Sequence, residues 1–315
     1  MEAQKLLKGI IHETPLQASR TFSAMSESQV YLKLENLQKT GAFKIRGAFV
    51  KAARLSAEAR AKGLITASAG NHAQGVACAA AHFGVPSIIV MPEAAPSAKV
   101  QATEGYGSKV VLHGANYDEA YRHALQLSEE KGACFVHAFD DEDIISGQGT
   151  VGLEILQSLP DVETIVVPVG GGGLISGIAA AVKTLKPEVE IIGVQPEQAS
   201  SGFLSWQAGQ RMIVPAPRSI ADGLCVQTPG LLPFEMIRQQ VDTMCTVSEA
   251  ELTEAMMLLL ERSKLLVEGA GAAPLAALLS GRLPLKGRKT VLVVSGGNVD
   301  LGRLAGLTAS RNLVS

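Results

Sequence analysis

One lysine in the stretch KTGAFKIRG, residues 39–47, has an unusual setting. Lys44 follows small and apolar residues where a helix should begin. The run from Ala42 to Ala53 has helical composition, and Thr40 is placed to cap it. Near a helix N-terminus an ammonium feels the positive end of the macrodipole, and partial burial pushes its pKa down as well. A lysine kept partly neutral is a nucleophile, as Schiff-base chemistry requires. The competing reading is an ordinary solvated lysine, so the rest of the chain has to decide.

Three loops could serve such a lysine: SAGNH (68–72), GGGGL (170–174) and SGGN (295–298), each directly after a short apolar run. Taken singly, each could be no more than a tight strand-to-helix turn. Gly170 to Gly173, just before a helix starting near Leu174, offer bare N–H groups at a helix N-terminus, a ready anion site. The run lacks the Gly-Lys-Ser/Thr ending of an NTPase loop. It also misses the dinucleotide fingerprint. Counting from Gly170 or Gly171, the third glycine position holds Ile175 or Ser176, and Gln195 rather than an acid closes the next strand. A cofactor with a single phosphate fits better.

The elements that must position these groups follow an α/β pattern. β-Branched runs at 64–67, 87–91, 164–169, 190–194 and 290–294 alternate with Ala/Leu-rich segments at 71–83, 97–104, 116–131, 147–158, 174–185, 249–264 and 269–280. Strand, glycine loop and helix in repetition indicate mostly parallel sheets, which gather ligands beyond the carboxyl ends of their strands. The segment 206–233, with four prolines and the only Trp, reads as irregular. In 315 residues, 47% are hydrophobic and 18% charged, with a net charge of −2. That balance gives no basic stripe for nucleic acid. Cys78, Cys134, Cys225 and Cys245 lie far apart, with no CxxC pair, and read as reduced core thiols. The N-terminus does not resemble a signal peptide and no apolar run reaches the length of a membrane span, so a cytoplasmic protein is expected.

Taken in order, KLENLQKTGAFKIRGA (33–48), SAGNHAQG (68–75), GQGTVGLE (147–154), VPVGGGGLISG (167–177), ADGL (221–224), VEGAGA (267–272) and SGGNVDL (295–301) resemble the fold-type II pyridoxal-phosphate enzymes. Within these, the chain looks like the serine/threonine dehydratases and their relative serine racemase. The resemblance runs from about residue 10 to the end. It implies an α/β fold of two open parallel-sheet domains, of the tryptophan-synthase-β-like kind, with pyridoxal 5'-phosphate in the cleft. It implies further that Lys44 forms the Schiff base, that Phe43 packs on the cofactor ring, and that Gly170, Gly171, Gly172, Gly173 and Leu174 hold the phosphate. Asn71 would meet the ring hydroxyl, Ser295 the pyridine nitrogen, and Glu268 the ring edge in a supporting role. Ser68, Ala69, Gly70, Asn71 and His72 would bind the substrate carboxylate through backbone N–H groups. A serine opposite the ring nitrogen cannot keep it protonated as a carboxylate would, a bias that suits β-elimination.

Departures from the family pattern sharpen the reading. Serine racemases carry a serine where this chain has Ala69, and a methyl group cannot shuttle a proton, so dehydration is expected over racemisation. Ala42 replaces a serine common in relatives. The cation site of eukaryotic serine racemases would need a carboxylate six residues after Glu197, where Phe203 stands, so no metal is expected. The chain ends soon after SGGNVDL, so a feedback domain is not expected and the short, catabolic type is. His82, His113 and His137 read as structural or exposed, and the DDED run at 140–143 as a solvated segment. Asp222 is a candidate for ordering backbone near the site. The expected layout is a large cofactor domain of residues 1–54 and 144–315 and a small substrate-loop domain of 55–143. The expected protein is a homodimer or homotetramer that converts L-threonine and L-serine to 2-oxo acids and ammonia. The alternatives are a serine or hydroxyaspartate racemase/dehydratase, and a catalytically idle cofactor- or effector-binding protein.

Overall fold

The computed structural model describes residues 1–311. Among these residues ten strands form two sheets. The strands are β1 (Leu16–Ala18), β2 (Gln29–Leu34), β3 (Leu64–Ala67), β4 (Ser87–Met91), β5 (Lys109–Leu112), β6 (Cys134–Phe135), β7 (Thr164–Pro168), β8 (Glu190–Pro196), β9 (Thr243–Val247) and β10 (Lys289–Val294). The larger sheet has the order β1-β2-β10-β7-β8-β9 and the smaller β5-β4-β3-β6. Only the edge pair β1/β2 is antiparallel; every other pairing is parallel.

The buried central strands explain the apolar runs, because a parallel sheet covered on both faces needs side chains buried both ways. On one face of the larger sheet, Val166, Ile192, Leu292 and Val294 pack against the helices Glu249–Ser263 and Gly269–Leu279. On the other, Ile165, Val167, Ile191, Val291 and Val293 pack against the helices Glu142–Ser158 and Gly173–Leu185. A third cluster joins Ile45, Ala48, Phe49 and Ala52 of the helix Lys44–Arg54 to Ala73, Val76 and Ala79 of the helix Asn71–Phe83, and to Ile89 and Met91 of β4. These two helices approach closely at Gly75, where a methyl group would lie 3.1 Å from the Lys44 carbonyl carbon. The lysine helix therefore shares its core with the smaller sheet, while the loop before it is tied to β10.

Several expectations need correction. The lysine helix begins at Lys44 itself with Phe43 at its N-cap, and Thr40 does not cap it; the Thr40 hydroxyl turns to the Ala42 carbonyl. The segment read as irregular is flanked and partly occupied by the helices Ser201–Ala208 and Leu231–Gln240. Pro233 sits in the first turn of the second, where its missing N–H costs nothing. The run at 140–143 is not simply solvated. Asp141 caps the helix Glu142–Ser158, and the Asp140 carboxylate accepts from the N–H groups of Leu231 and Leu232 at 2.8 and 2.9 Å, capping the next helix from a distance. The four cysteines are free and half-buried rather than core. Beneath the lysine helix lies a buried ionic cluster. Arg46, fully buried, bonds Glu35 at 2.7 Å and Glu154 at 2.6 Å, and Lys33 bonds Glu154 at 2.6 Å. Burial alone would raise the Glu35 carboxyl, but the Arg46 guanidinium outweighs it and holds Glu35 below the usual range.

Candidate active site

Each of the three loops opens at the carboxyl end of a strand, and the fold brings them together. Phe43 N–H donates to the Ser295 carbonyl at 3.1 Å, and Ala42 pairs with Gly296, so the stretch before Lys44 is pinned to the end of β10. Asn71 Nδ2 donates to Glu268 Oε1 at 2.7 Å, joining the SAGNH loop to the VEGAGA segment. The Phe139 ring packs against Gly171, which carries the segment after β6 onto the glycine run. Lys44 Nζ donates to the carbonyl of Ala138, the preceding residue, at 2.7 Å.

Four helices start at this place: Lys44–Arg54, Asn71–Phe83, Gly173–Leu185 and Gly269–Leu279. None has a side-chain cap. The helices beginning after Ser19, Ser56, Asn116, Asp141 and Ser248 are all capped by those side chains. The first N–H groups of a helix have no partner within it, so an uncapped end awaits an acceptor, preferably an anion.

The glycine run is also demanded by packing. Gly172 has φ +97°, and a methyl there would press on Pro233 at 2.8 Å; one on Gly170 would lie 3.0 Å from the Gly223 carbonyl oxygen. These neighbours let the backbone turn inward with its N–H groups bare. Gly70 differs, because a methyl group there would meet no protein atom within 4 Å. Packing does not require that glycine, and the space beside it is open to a ligand. Within the SAGNH loop, Ser68 N–H is spent on the Val90 carbonyl and Gly70 N–H on the Ser68 hydroxyl. That leaves the N–H groups of Ala69, Asn71 and His72 for an acceptor.

The electrostatics fit an amine site. Burial lowers Lys44 from 10.5 to about 8, although the Glu268 carboxylate pulls the other way. Burial, helped by Asp222, raises Glu268 to about 7. His72 is buried with Nε2 against the Val136 carbonyl at 3.0 Å, and burial with the nearby Lys44 lowers it to about 3. Burial thus favours the neutral imidazole, with its ring set on that carbonyl. His137 accepts from the N–H groups of Phe139 and Asp140 and shapes that turn. Ser295 is buried at the mouth of β10. Sequence reasoning did not pick out the Ala138 carbonyl, for which no residue-type signal exists, nor Asn298. That residue lies within the SGGN stretch and donates to the Asn71 Oδ1 and to the Thr40 carbonyl, each at 2.8 Å. Among the described residues no group of three or more His, Cys, Asp and Glu side chains could hold a metal ion.

A depressed amine among uncapped helix ends, between two largely parallel sheets, fits a carbonyl-cofactor enzyme of the α/β class. The model of the pyridoxal-phosphate dependent enzyme family matches residues 7–297, and the chain belongs to that family. It is 50% identical over 303 residues to an L-threonine ammonia-lyase of Thermotoga maritima, covering 96% of this chain and 75% of that one. It is 44% identical over 310 residues to the catabolic L-threonine dehydratase TdcB of Escherichia coli, covering 98% and 94%. Among solved structures, maize serine racemase superposes with a TM-score of 0.93 at 38% identity, covering 98% of this chain and 95% of that one. The processed form of threonine deaminase isoform 2 from Solanum lycopersicum gives 0.93 at 36%, covering 99% and 89%.

Proposed function

We propose that this protein is an L-threonine/L-serine dehydratase that releases a 2-oxo acid and ammonia by α,β-elimination. The observation that carries the reading is the Lys44 amine, lowered to about 8 and set among uncapped helix ends. The site fits pyridoxal phosphate. The N–H groups of Gly170, Gly171, Gly172, Gly173 and Leu174 would hold its phosphate, Phe43 and Ser295 would flank its ring, and Asn71 with Glu268 would meet the ring edge. Bound there, the cofactor supplies the electron sink that makes an amino-acid Cα–H acidic. The protein does the rest. The N–H groups of Ala69, Asn71 and His72 hold the substrate carboxylate and orient the Cα–H bond. Lys44, whose lowered pKa leaves a neutral fraction near pH 8, takes the α-proton, and the β-hydroxyl leaves with a proton as water. The enamine released is hydrolysed to the 2-oxo acid and ammonia.

Ala69 argues against racemisation, because its methyl group offers no proton to the face opposite Lys44. The proposed layout keeps residues 1–54 and 144–315 as the cofactor domain and 55–143 as the substrate-loop domain, whose closure would exclude water. No helix among the described residues is long and apolar enough to cross a membrane. A cytoplasmic homodimer or homotetramer is the proposed form. The test is 2-oxo acid formation by the purified protein with pyridoxal phosphate, offered L-threonine and L-serine in parallel. Product from either supports elimination; no product from both, with cofactor bound, overturns the substrate assignment.

A further inference from the structure

The polar groups around Asn71 form a chain of hydrogen bonds whose direction is set by one backbone atom. The Thr40 carbonyl can only accept. Asn298 meets it with Nδ2 at 2.8 Å, which fixes the orientation of the Asn298 amide. The same Nδ2 donates to Asn71 Oδ1 at 2.8 Å, which in turn fixes the Asn71 amide. Asn71 Nδ2 then faces Glu268 Oε1 at 2.7 Å. Turning the Asn71 amide over would set two NH2 groups against each other at Asn298. Turning both amides would set an oxygen against the Thr40 carbonyl. Gly41 makes room for this arrangement: a methyl there would lie 2.5 Å from Asn298 Oδ1, and its φ of +70° favours glycine independently.

We infer that Asn298 is a positioning residue that locks the Asn71 amide with its oxygen occupied, so that Asn71 meets the cofactor as a hydrogen-bond donor only. One hydrogen of Asn71 Nδ2 goes to Glu268 and the second is left for a ligand acceptor. A ring hydroxylate is such an acceptor; to a neutral ring hydroxyl that needs to donate, the Asn71 amide offers no acceptor. These hydrogen bonds also tie the helix Asn71–Phe83 to the loop before Lys44, so the donor and the amine are held in one register. This inference rests on the proposed role of Asn71 toward pyridoxal phosphate.

The test measures the dissociation constant of pyridoxal phosphate from the cofactor-free protein for the wild type, Asn298→Ala, Asn71→Ala and the double variant. The Kd of Asn298→Ala should rise about tenfold, the worth of one hydrogen bond. The double variant should be no weaker than Asn71→Ala alone, because Asn298 acts through Asn71. Asn298→Asp, of equal size but opposite polarity toward Thr40 and Asn71, should weaken binding more than Asn298→Ala. Asn298 is exposed, so the single Asn298 variants should keep the wild-type unfolding temperature within a few degrees. Additive effects of Asn71→Ala and Asn298→Ala, or an unchanged Kd for Asn298→Asp, would overturn the inference while leaving the site intact. A wild-type protein that does not bind pyridoxal phosphate would overturn the reading of the site itself, and the inference with it.

Discussion

Replacing Lys44 by methionine should remove function and at the same time stabilise the cofactor-free protein near neutral pH. The folded protein holds the Lys44 amine at about 8 against an ordinary 10.5, chiefly by burial. Below pH 8 the unfolded chain and the folded chain are both protonated, and the folded one carries the full cost of a desolvated ammonium. The gap of 10.5 − 8, at 1.36 kcal/mol per pH unit, sets a ceiling of about 3 kcal/mol. Lys44 is only half-buried and its ammonium donates to the Ala138 carbonyl, so about 1–2 kcal/mol is the working figure after screening. Between pH 8 and 10.5 the unfolded chain binds more protons than the folded one. Wild-type stability therefore rises with pH in that window relative to Lys44→Met. Denaturant unfolding of both proteins without cofactor, at pH 7 and pH 10, is the assay. The variant should be the more stable at pH 7, and its advantage should shrink by about 1–2 kcal/mol at pH 10. A difference that does not change with pH would refute the depressed amine, whatever the loss of activity.

Other outcomes follow from the same geometry. Ala69→Ser should raise the ratio of racemisation to elimination, measured by chiral analysis of the remaining substrate; an unchanged ratio would remove Ala69 as the discriminator. Arg46→Met should destabilise the protein by about 3–5 kcal/mol in denaturant unfolding, since it strands Glu35 and Glu154 with Lys33 as their only buried cation. A loss under 1 kcal/mol would mean that the carboxylates find water or protons cheaply. Gly171→Ala places a methyl group in the Phe139 ring, so both cofactor affinity and thermal stability should fall; retention of both would show that the turn at Phe139 yields freely.

What the sequence made legible was local. The helices Asn71–Phe83 and Ser97–Glu104 carry their composition and boundaries in contiguous residues, as do β3, β4 and β10. β2 was hidden because QVYLKL places a lysine in the core, and Lys33 is acceptable there because the Thr14 carbonyl and Glu154, the latter from 121 residues away, accept from its ammonium. The caps failed in the same way. Asp140 and Asp141 read as a charge run, since nothing local says that one of them serves a helix starting at Leu231. At the site, residue type and setting pointed to Lys44 and the family resemblance to Asn71, Glu268 and Ser295, whereas the partners that orient them depend on tertiary folding. Asn298 sat in a motif already noticed, yet its role appears only when Thr40 and Asn71 are brought to it.

The central claim is that Lys44 is the amine that captures the cofactor carbonyl. Treating the pyridoxal-phosphate-loaded protein with borohydride and mapping the tagged peptide by mass tests it most directly. The account predicts the phosphopyridoxyl group on Lys44 alone, with none on Lys39, Lys51 or Lys99. Label on another lysine, or full retention of label in Lys44→Met, would contradict it.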